Sequence, residues 1–284
     1  MARFWVIGNL NADEVVHVDA PPRPGGHLTG RAAGLRLGGG GANMAVALVR
    51  AGHAVRLFAS VGDDAAGARL VSECQDHGVD VRGVHQLAGR TTSQPLILID
   101  PSGERTLIAR RTLTAADLVV PTDEGTAEGL VVKTFHPGLA PMMAVIASRG
   151  LVVAHAPPPT MVAWPATVWV TSEREITAVV PDAPWASARE RAGPALRWVV
   201  VTRGASGAEA FGPDGVTLNV PAVPPGRVVD TTGAGDVFAA GLLHGLLPSG
   251  GADIAHGLSI ATRWATRTIQ TEGSIPPRDL CADG

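Results

Sequence analysis

Short, continuous apolar runs alternate along the chain with helix-like segments. Residues 4–7 read as a first buried strand. A helix over 41–51 follows, opened by the glycines at 38–41 and ended by Gly52. Residues 55–60 predict the next strand, and 65–77 a helix that closes at Gly78. Further strands are predicted at 130–133, 151–154, 168–171 and 198–202. Their apolar residues are consecutive rather than alternating, as in parallel strands covered on both faces. The rhythm predicts an α/β layered fold with a mainly parallel central sheet.

Two stretches depart from it. Residues 15–37 are rich in Pro and Gly, and their later part alternates like an exposed strand pair. Residues 94–110 read as a hairpin around the turn Asp100-Pro101-Ser102-Gly103. Such inserted hairpins form a small separate sheet, used as a lid over a site or as a dimerisation surface. The organisation expected is therefore one domain over residues 1–284, with β segments inserted at about 14–37 and 91–111. The run Pro157-Pro158-Pro159 predicts a loop after the 151–154 strand, not a linker.

Composition narrows the class of partner. With 45% hydrophobic and 17% charged residues, the chain can bury a sizeable core. A formal charge of −3 argues against nucleic acid or an anionic membrane as partner, since either wants a basic stripe. Lys133 is the only lysine, so nearly all cationic charge is arginine. Cys74 and Cys281 lack metal-like spacing and read as free thiols in a reducing compartment. The apolar run at the N-terminus is too short for a signal peptide, and no apolar stretch approaches the ~20 residues of a membrane helix. A cytoplasmic protein is expected.

The most informative segment is Val228-Val229-Asp230-Thr231-Thr232-Gly233-Ala234-Gly235-Asp236-Val237-Phe238. Small residues at 233–235 let backbone N–H groups point inward at the start of an apolar helix, which makes an anion site. Bound phosphate would repel Asp236 there. As a general base beside an attacking hydroxyl it fits, while the amides stabilise charge on the phosphoryl oxygens. Read alone, Asp236 could equally be a helix cap.

Asp230-Thr231-Thr232-Gly233-Ala234-Gly235-Asp236 resembles the C-terminal signature of the ribokinase, or PfkB-type, carbohydrate kinase family. The resemblance implies a ribokinase-like three-layer sandwich with a small β lid. It also implies ATP and Mg2+ as cofactors, Asp236 as catalytic base, and Gly233, Ala234 and Gly235 as the anion hole. Gly8-Asn9-Leu10-Asn11-Ala12-Asp13 follows the first strand, where the family places sugar-binding groups, so Asn11 and Asp13 are acceptor contacts by resemblance. A carboxylate suits a polyol because it can accept two hydroxyl hydrogen bonds. Gly38-Gly39-Gly40-Gly41-Ala42-Asn43 resembles the first family signature, bringing Gly39, Gly40 and Asn43 to the acceptor. Val201-Thr202-Arg203-Gly204-Ala205-Ser206-Gly207 resembles the nucleotide loop, making Thr202, Gly204 and Gly207 nucleotide contacts. Ala261, on a C-terminal helix, would flank adenine.

Several positions depart from the family pattern. Where the family carries Asn-x-x-Glu, this chain reads Ser172-Glu173-Arg174-Glu175. Ser172 then faces the nucleotide and Glu175 holds magnesium through water. Gly40 stands in place of a lysine, and Phe135 in place of a glutamate near the sugar. Two charged groups are thus expected to be missing around the acceptor. Phe135 either packs on an apolar face of the acceptor, such as a nucleobase, or belongs to the core. Arg105, Arg110 and Arg111 in the lid hairpin suit an acidic substituent, or are simply solvated. Asp230 and Thr232 lie where ribokinase binds potassium; Asp230 could instead bond the turn's own N–H groups.

The resemblance implies a kinase for a hydroxyl of a sugar or sugar-like molecule, with a possible homodimer through the lid. A nucleoside kinase of the same fold and a nucleotide-binding regulatory protein with impaired catalysis are the alternatives. A dinucleotide-dependent dehydrogenase is disfavoured, because the glycines at 38–41 lack its spacing.

Overall fold

The computed structural model describes residues 1–122, 127–159, 162–175 and 184–282. Consecutive residues of the first strand, β1 (Arg3–Ile7), explain the architecture. Phe4 and Val6 point into one apolar cluster, Trp5 and Ile7 into a second on the other face. The same division recurs in β8 (Gly129–Val132), β9 (Leu151–His155) and β10 (Val168–Ser172). Strands buried on both faces need a helical layer on each side, and both are present.

The first cluster packs α1 (Gly40–Arg50), α2 (Ala65–Asp76), α5 (Ala234–Leu246) and α6 (Ile254–Ile269) against the sheet. The second is covered by α3 (Ala140–Arg149) and α4 (Pro184–Ala192). Each fully buried Leu, Val or Phe contributes roughly 1.5–3 kcal/mol relative to exposure. The three-layer α/β sandwich expected from the sequence is the observed fold.

The described strands of the main sheet run β13-β12-β11-β10-β9-β8-β1-β4-β5. Here β4 is Ala54–Gly62, β5 Asp80–Leu87, β11 Trp198–Thr202, β12 Ala208–Phe211 and β13 Thr217–Val220. Pairing is parallel except at β12 and β13. From β1 the chain moves to β4 and β5 on one side, then returns to β8 on the other. The switch in strand order lies between β1 and β8, and a crevice opens there beyond the carboxyl ends of the strands, the usual place for a ligand in such sheets.

A second sheet, ordered β3-β2-β6-β7, covers this crevice. It comprises β2 (Asn11–Val18), β3 (Gly30–Gly38), β6 (Leu96–Ile99) and β7 (Arg105–Ile108). The hairpin forms across residues 96–108 as the turn residues predict, and β6 joins β2 in parallel. Asp64 fixes one edge of the crevice. It caps α2 through the Gly67 N–H (2.8 Å) and holds Thr92 by its N–H (2.8 Å) and Oγ1 (2.6 Å). Residues 228–230 form no strand; the Val229 N–H donates to the Ile269 carbonyl at 2.7 Å, tying the segment to α6. Cys74 and Cys281 are free thiols. Among the described residues no helix is long and apolar enough to cross a membrane.

Candidate active site

A cavity of about 550 Å³ fills the crevice between the two sheets. Asn11, Asp13, Gly39, Gly40, Asn43, Phe135, Thr232, Gly233 and Asp236 all line it, so residues from distant segments of the sequence meet at one place. Gly233 begins the turn at φ 81°, and a Cβ there would lie 2.7 Å from the Ser274 carbonyl oxygen. Only glycine is comfortable in that conformation. It starts α5 so that Asp236 falls in the first turn, where helix N–H groups lack intrahelical partners. The Ala234 N–H approaches the Thr231 carbonyl only at 3.5 Å, and the Val237 N–H is committed to the Gly233 carbonyl at 3.0 Å. Ala234 is half-buried and Gly235 exposed, and the cavity lining includes Gly233 and Asp236 but neither of these two.

Asp236 is buried, with side-chain partners from three other elements. Asn43 Nδ2 donates to its Oδ2 at 2.8 Å. Lys133, one residue past β8, donates from Nζ to Oδ1, and His155 Nε2 at the end of β9 lies 3.2 Å from that oxygen. Burial alone would push the Asp236 pKa up. The Lys133 ammonium and the His155 ring more than offset this and hold the carboxyl well below the usual range. The His155 pKa is held low by burial first and by Lys133 second. Gly40 and Phe135 leave their places in the cavity uncharged, as expected, but Lys133 and His155, which the sequence did not single out, converge on Asp236 from strand ends.

Asp13 sits opposite, 5% exposed, with its Oδ1 buried and without a hydrogen-bond partner among the described residues. Burial, then the charge of Asp236, pushes its pKa up to about 7. Such an oxygen suits a hydroxyl donor brought by a ligand. Phe135 is half-buried and meets Trp164 edge-on, with ring centroids 4.9 Å apart. It is therefore both cavity wall and rim of the second core cluster.

Residues assigned to the nucleotide divide. Ser172 and Thr202 end the neighbouring parallel strands β10 and β11, and Gly204 follows with open space around it. Arg203 is tied to Glu173 and Glu209, both at 2.6 Å. Gly207 opens β12, where the Val220 carbonyl fills the space a Cβ would take; the turn accounts for it. Ala261 is corrected. It is fully buried with its Cα against Gly241, so its small size serves helix packing rather than an adenine wall.

Glu175 Oε2 accepts from Ser172 Oγ at 2.9 Å. One exposed carboxylate in the helical turn three residues past the end of β10 fits a hydrated magnesium ion shared with phosphates. The monovalent-cation site fits less well. The Asp230 carboxylate accepts from the N–H groups of Thr232 (2.9 Å) and Gly273 (3.2 Å), and the Arg36 guanidinium lies 3.8 Å away. The Thr268 carbonyl accepts from Thr271. Arg36 is hydrogen-bonded to Glu272 (2.8 Å), so the Asp230 carboxylate is held chiefly by its own turn, while the buried Thr232 Oγ1 has no hydrogen-bond partner among the described residues.

The comparisons with known proteins agree with this geometry. A family model described as pfkB family carbohydrate kinase matches residues 1–133 and 154–280. An ATP-dependent ribose-1-phosphate kinase of Halopiger xanaduensis is 29% identical over 300 residues, covering 99% of this chain and 97% of that protein. The ribokinase structure from Giardia lamblia superposes with a TM-score of 0.84 at 21% identity, covering 100% of this chain and 98% of that one. A Burkholderia thailandensis nucleoside kinase in complex with inosine gives 0.72 at 21% identity, covering 95% and 92%. With the family model spanning most of its length, this chain belongs to the pfkB family of carbohydrate kinases, phosphotransferases whose acceptor is an alcohol group.

Proposed function

We propose that this protein transfers the γ-phosphoryl group of ATP to a hydroxyl of a sugar or sugar-like acceptor, with Asp236 as general base. The observation that carries this reading is a buried carboxylate facing the cavity from the first turn of α5. The acceptor hydroxyl lies between Asp13 and Asp236. Asp236 takes its proton as the oxygen attacks phosphorus, and the N–H groups of residues 233–235 stabilise the phosphoryl oxygens. Ser172, Thr202 and Gly204 lie on the nucleotide side of the crevice. Magnesium, held through water by Glu175, would supply charge neutralisation of the triphosphate.

A narrower reading is that the acceptor already carries an anionic group. In a β-strand alternate residues share a face. Arg105, Leu107 and Ala109 line the cavity, as does Arg111 two positions on. Arg110, just past the strand, also lines the cavity but is tied to Glu14 and to the Gln94 carbonyl (2.7 Å). Among the described residues Arg105 and Arg111 make no direct ion pair, and the Arg105 charge reaches Asp13, whose pKa it lowers, so two guanidinium groups look onto the cavity. Such groups match phosphate or carboxylate geometry. The name of the Halopiger relative, a ribose-1-phosphate kinase, supports the same reading. The nucleoside alternative rests on Phe135 in the cavity wall and on the inosine-bound neighbour.

ADP release with ribose, fructose, ribose 1-phosphate and inosine separates these readings. The phosphorylated sugar is expected to exceed ribose in kcat/KM by at least about tenfold, as one charge-assisted bond of ~1.5–3 kcal/mol implies. Arg105→Gln and Arg111→Gln should each erode that preference while sparing turnover of the neutral sugar. Preference for inosine would favour the nucleoside reading. Calorimetric ATP binding without turnover of any acceptor would favour the regulatory one.

A further inference from the structure

Asp236 is blocked as a base in the structure described above. A carboxylate oxygen that accepts from an ammonium and also meets an imidazole has little affinity left for a proton. For the chemistry to proceed, one of its partners must leave. Asn43 is 2% exposed and His155 9%, so neither has anywhere to go. Lys133 differs: its side chain is 31% exposed, lines the cavity and has a flexible stem. The start of α1 leaves it a passage. A Cβ on Gly40 would lie 2.4 Å from Lys133 Cδ and 3.0 Å from Asp236 Oδ1, so any other residue would collide with the stem.

We propose that Lys133 is a catalytic residue that holds Asp236 in the empty site and leaves it for the oxygens of the γ-phosphoryl group when ATP binds. The proposal rests on the kinase reading above. In the step itself, the acceptor oxygen forms its bond to phosphorus as its proton passes to Asp236. The bond from that phosphorus to the bridging oxygen breaks, and its electron pair departs with ADP. Lys133 stays protonated throughout and offsets charge on the equatorial oxygens, and Asp236 later returns its proton to solvent. His155, buried and fixed, donates Nε2–H and keeps the carboxylate oriented once the ammonium has gone. It is a positioning residue.

Because Lys133 is the only lysine, protein labelled with ¹⁵N-lysine has a single side-chain ammonium signal. Adding a non-hydrolysable ATP analogue with magnesium to the wild-type enzyme should shift that signal; saturation with no shift would overturn the proposal. Failure of the analogue to bind, measured by calorimetry on the same sample, would sink the kinase reading along with it.

Lys133→Met supplies the kinetic arm. Its kcat should fall by about 10²–10³, the loss typical of removing one charge-stabilising donor, with acceptor KM changed less than about threefold. The acid limb of its rate profile should move to higher pH. Four groups face Asp236: Lys133, His155, Asn43 and, at longer range, Asp13. Without the ammonium, burial and Asp13 both push the carboxyl up, and His155 opposes them by its hydrogen bond and charge interaction alone. A lysine with a purely structural part would lower the melting temperature and leave the acid limb in place. Wild-type kcat with an unmoved limb would also count against the proposal. Should Lys133→Met fail to fold, the ammonium signal of the wild-type protein still decides.

Discussion

At Asp13 binding and stability pull in opposite directions. Its carboxyl has a folded pKa of about 7, raised by burial and then by Asp236, against roughly 3.9 in an unfolded chain. The unfolded state therefore gives up this proton first as pH rises. Stability fully present below about pH 4 is lost as pH climbs through 7. Asp13→Asn removes that penalty. The variant should melt a few degrees above wild type at pH 8, since ~1 kcal/mol shifts Tm by roughly 2–4 °C in chains near this size. The gap should close near pH 4, and acceptor KM should rise at least about tenfold; melts at both pH values and steady-state kinetics check this. Asp13, Asn43, Gly40 and Asp236 were legible in the sequence because each lies in a contiguous string with local meaning. Lys133 and His155 were not. Lys133 stands 103 residues from Asp236 and 22 from His155, and only the parallel pairing of β8 with β9 brings their ends together. One signal was available: the chain's only lysine, placed at the end of an apolar run.

The β6–β7 hairpin is tied to the Gly233 turn by its own tip. Thr231 donates its N–H to the Gly103 carbonyl at 3.2 Å and its Oγ1–H to Glu104 Oε1 at 3.1 Å. Gly103 holds φ 81°, and a Cβ there would approach the Val229 carbonyl oxygen to 3.0 Å. Gly103→Val should push the tip away, at a cost of about 1–3 kcal/mol for a β-branched residue in that conformation. Acceptor KM should rise by about tenfold and ATP KM far less, because β6 and β7 line the acceptor side; initial-rate kinetics with each substrate varied checks this. The hairpin was legible from its turn residues. Its parallel pairing with β2 was not, since a strand's partner is set by tertiary packing and not by its own pattern. Strands β5, β12 and β13 escaped the reading for a related reason. Their burial is mixed, so they lack the continuous apolar run that marks a central strand.

For the molecule as a whole, the sheet's change of direction between β1 and β8 gathers Asn11, Asp13, Asn43, Lys133 and Asp236 into one crevice. The continuous apolar runs made the central parallel sheet legible, because burial on both faces leaves no polar alternation to read. The strand order was not readable in that way, nor was the burial of Ala261, whose small side chain is consistent with either a ligand wall or a helix contact. The account stands or falls on proton removal by Asp236. Asp236→Asn keeps the shape and the Asn43 neighbourhood while removing the carboxylate. The decisive measurement is kcat of this variant with saturating Mg-ATP and the best acceptor. The account predicts a fall of about 10²–10⁴, the usual contribution of a general base, with ATP affinity by calorimetry largely retained. A variant turning over at close to the wild-type rate would contradict it.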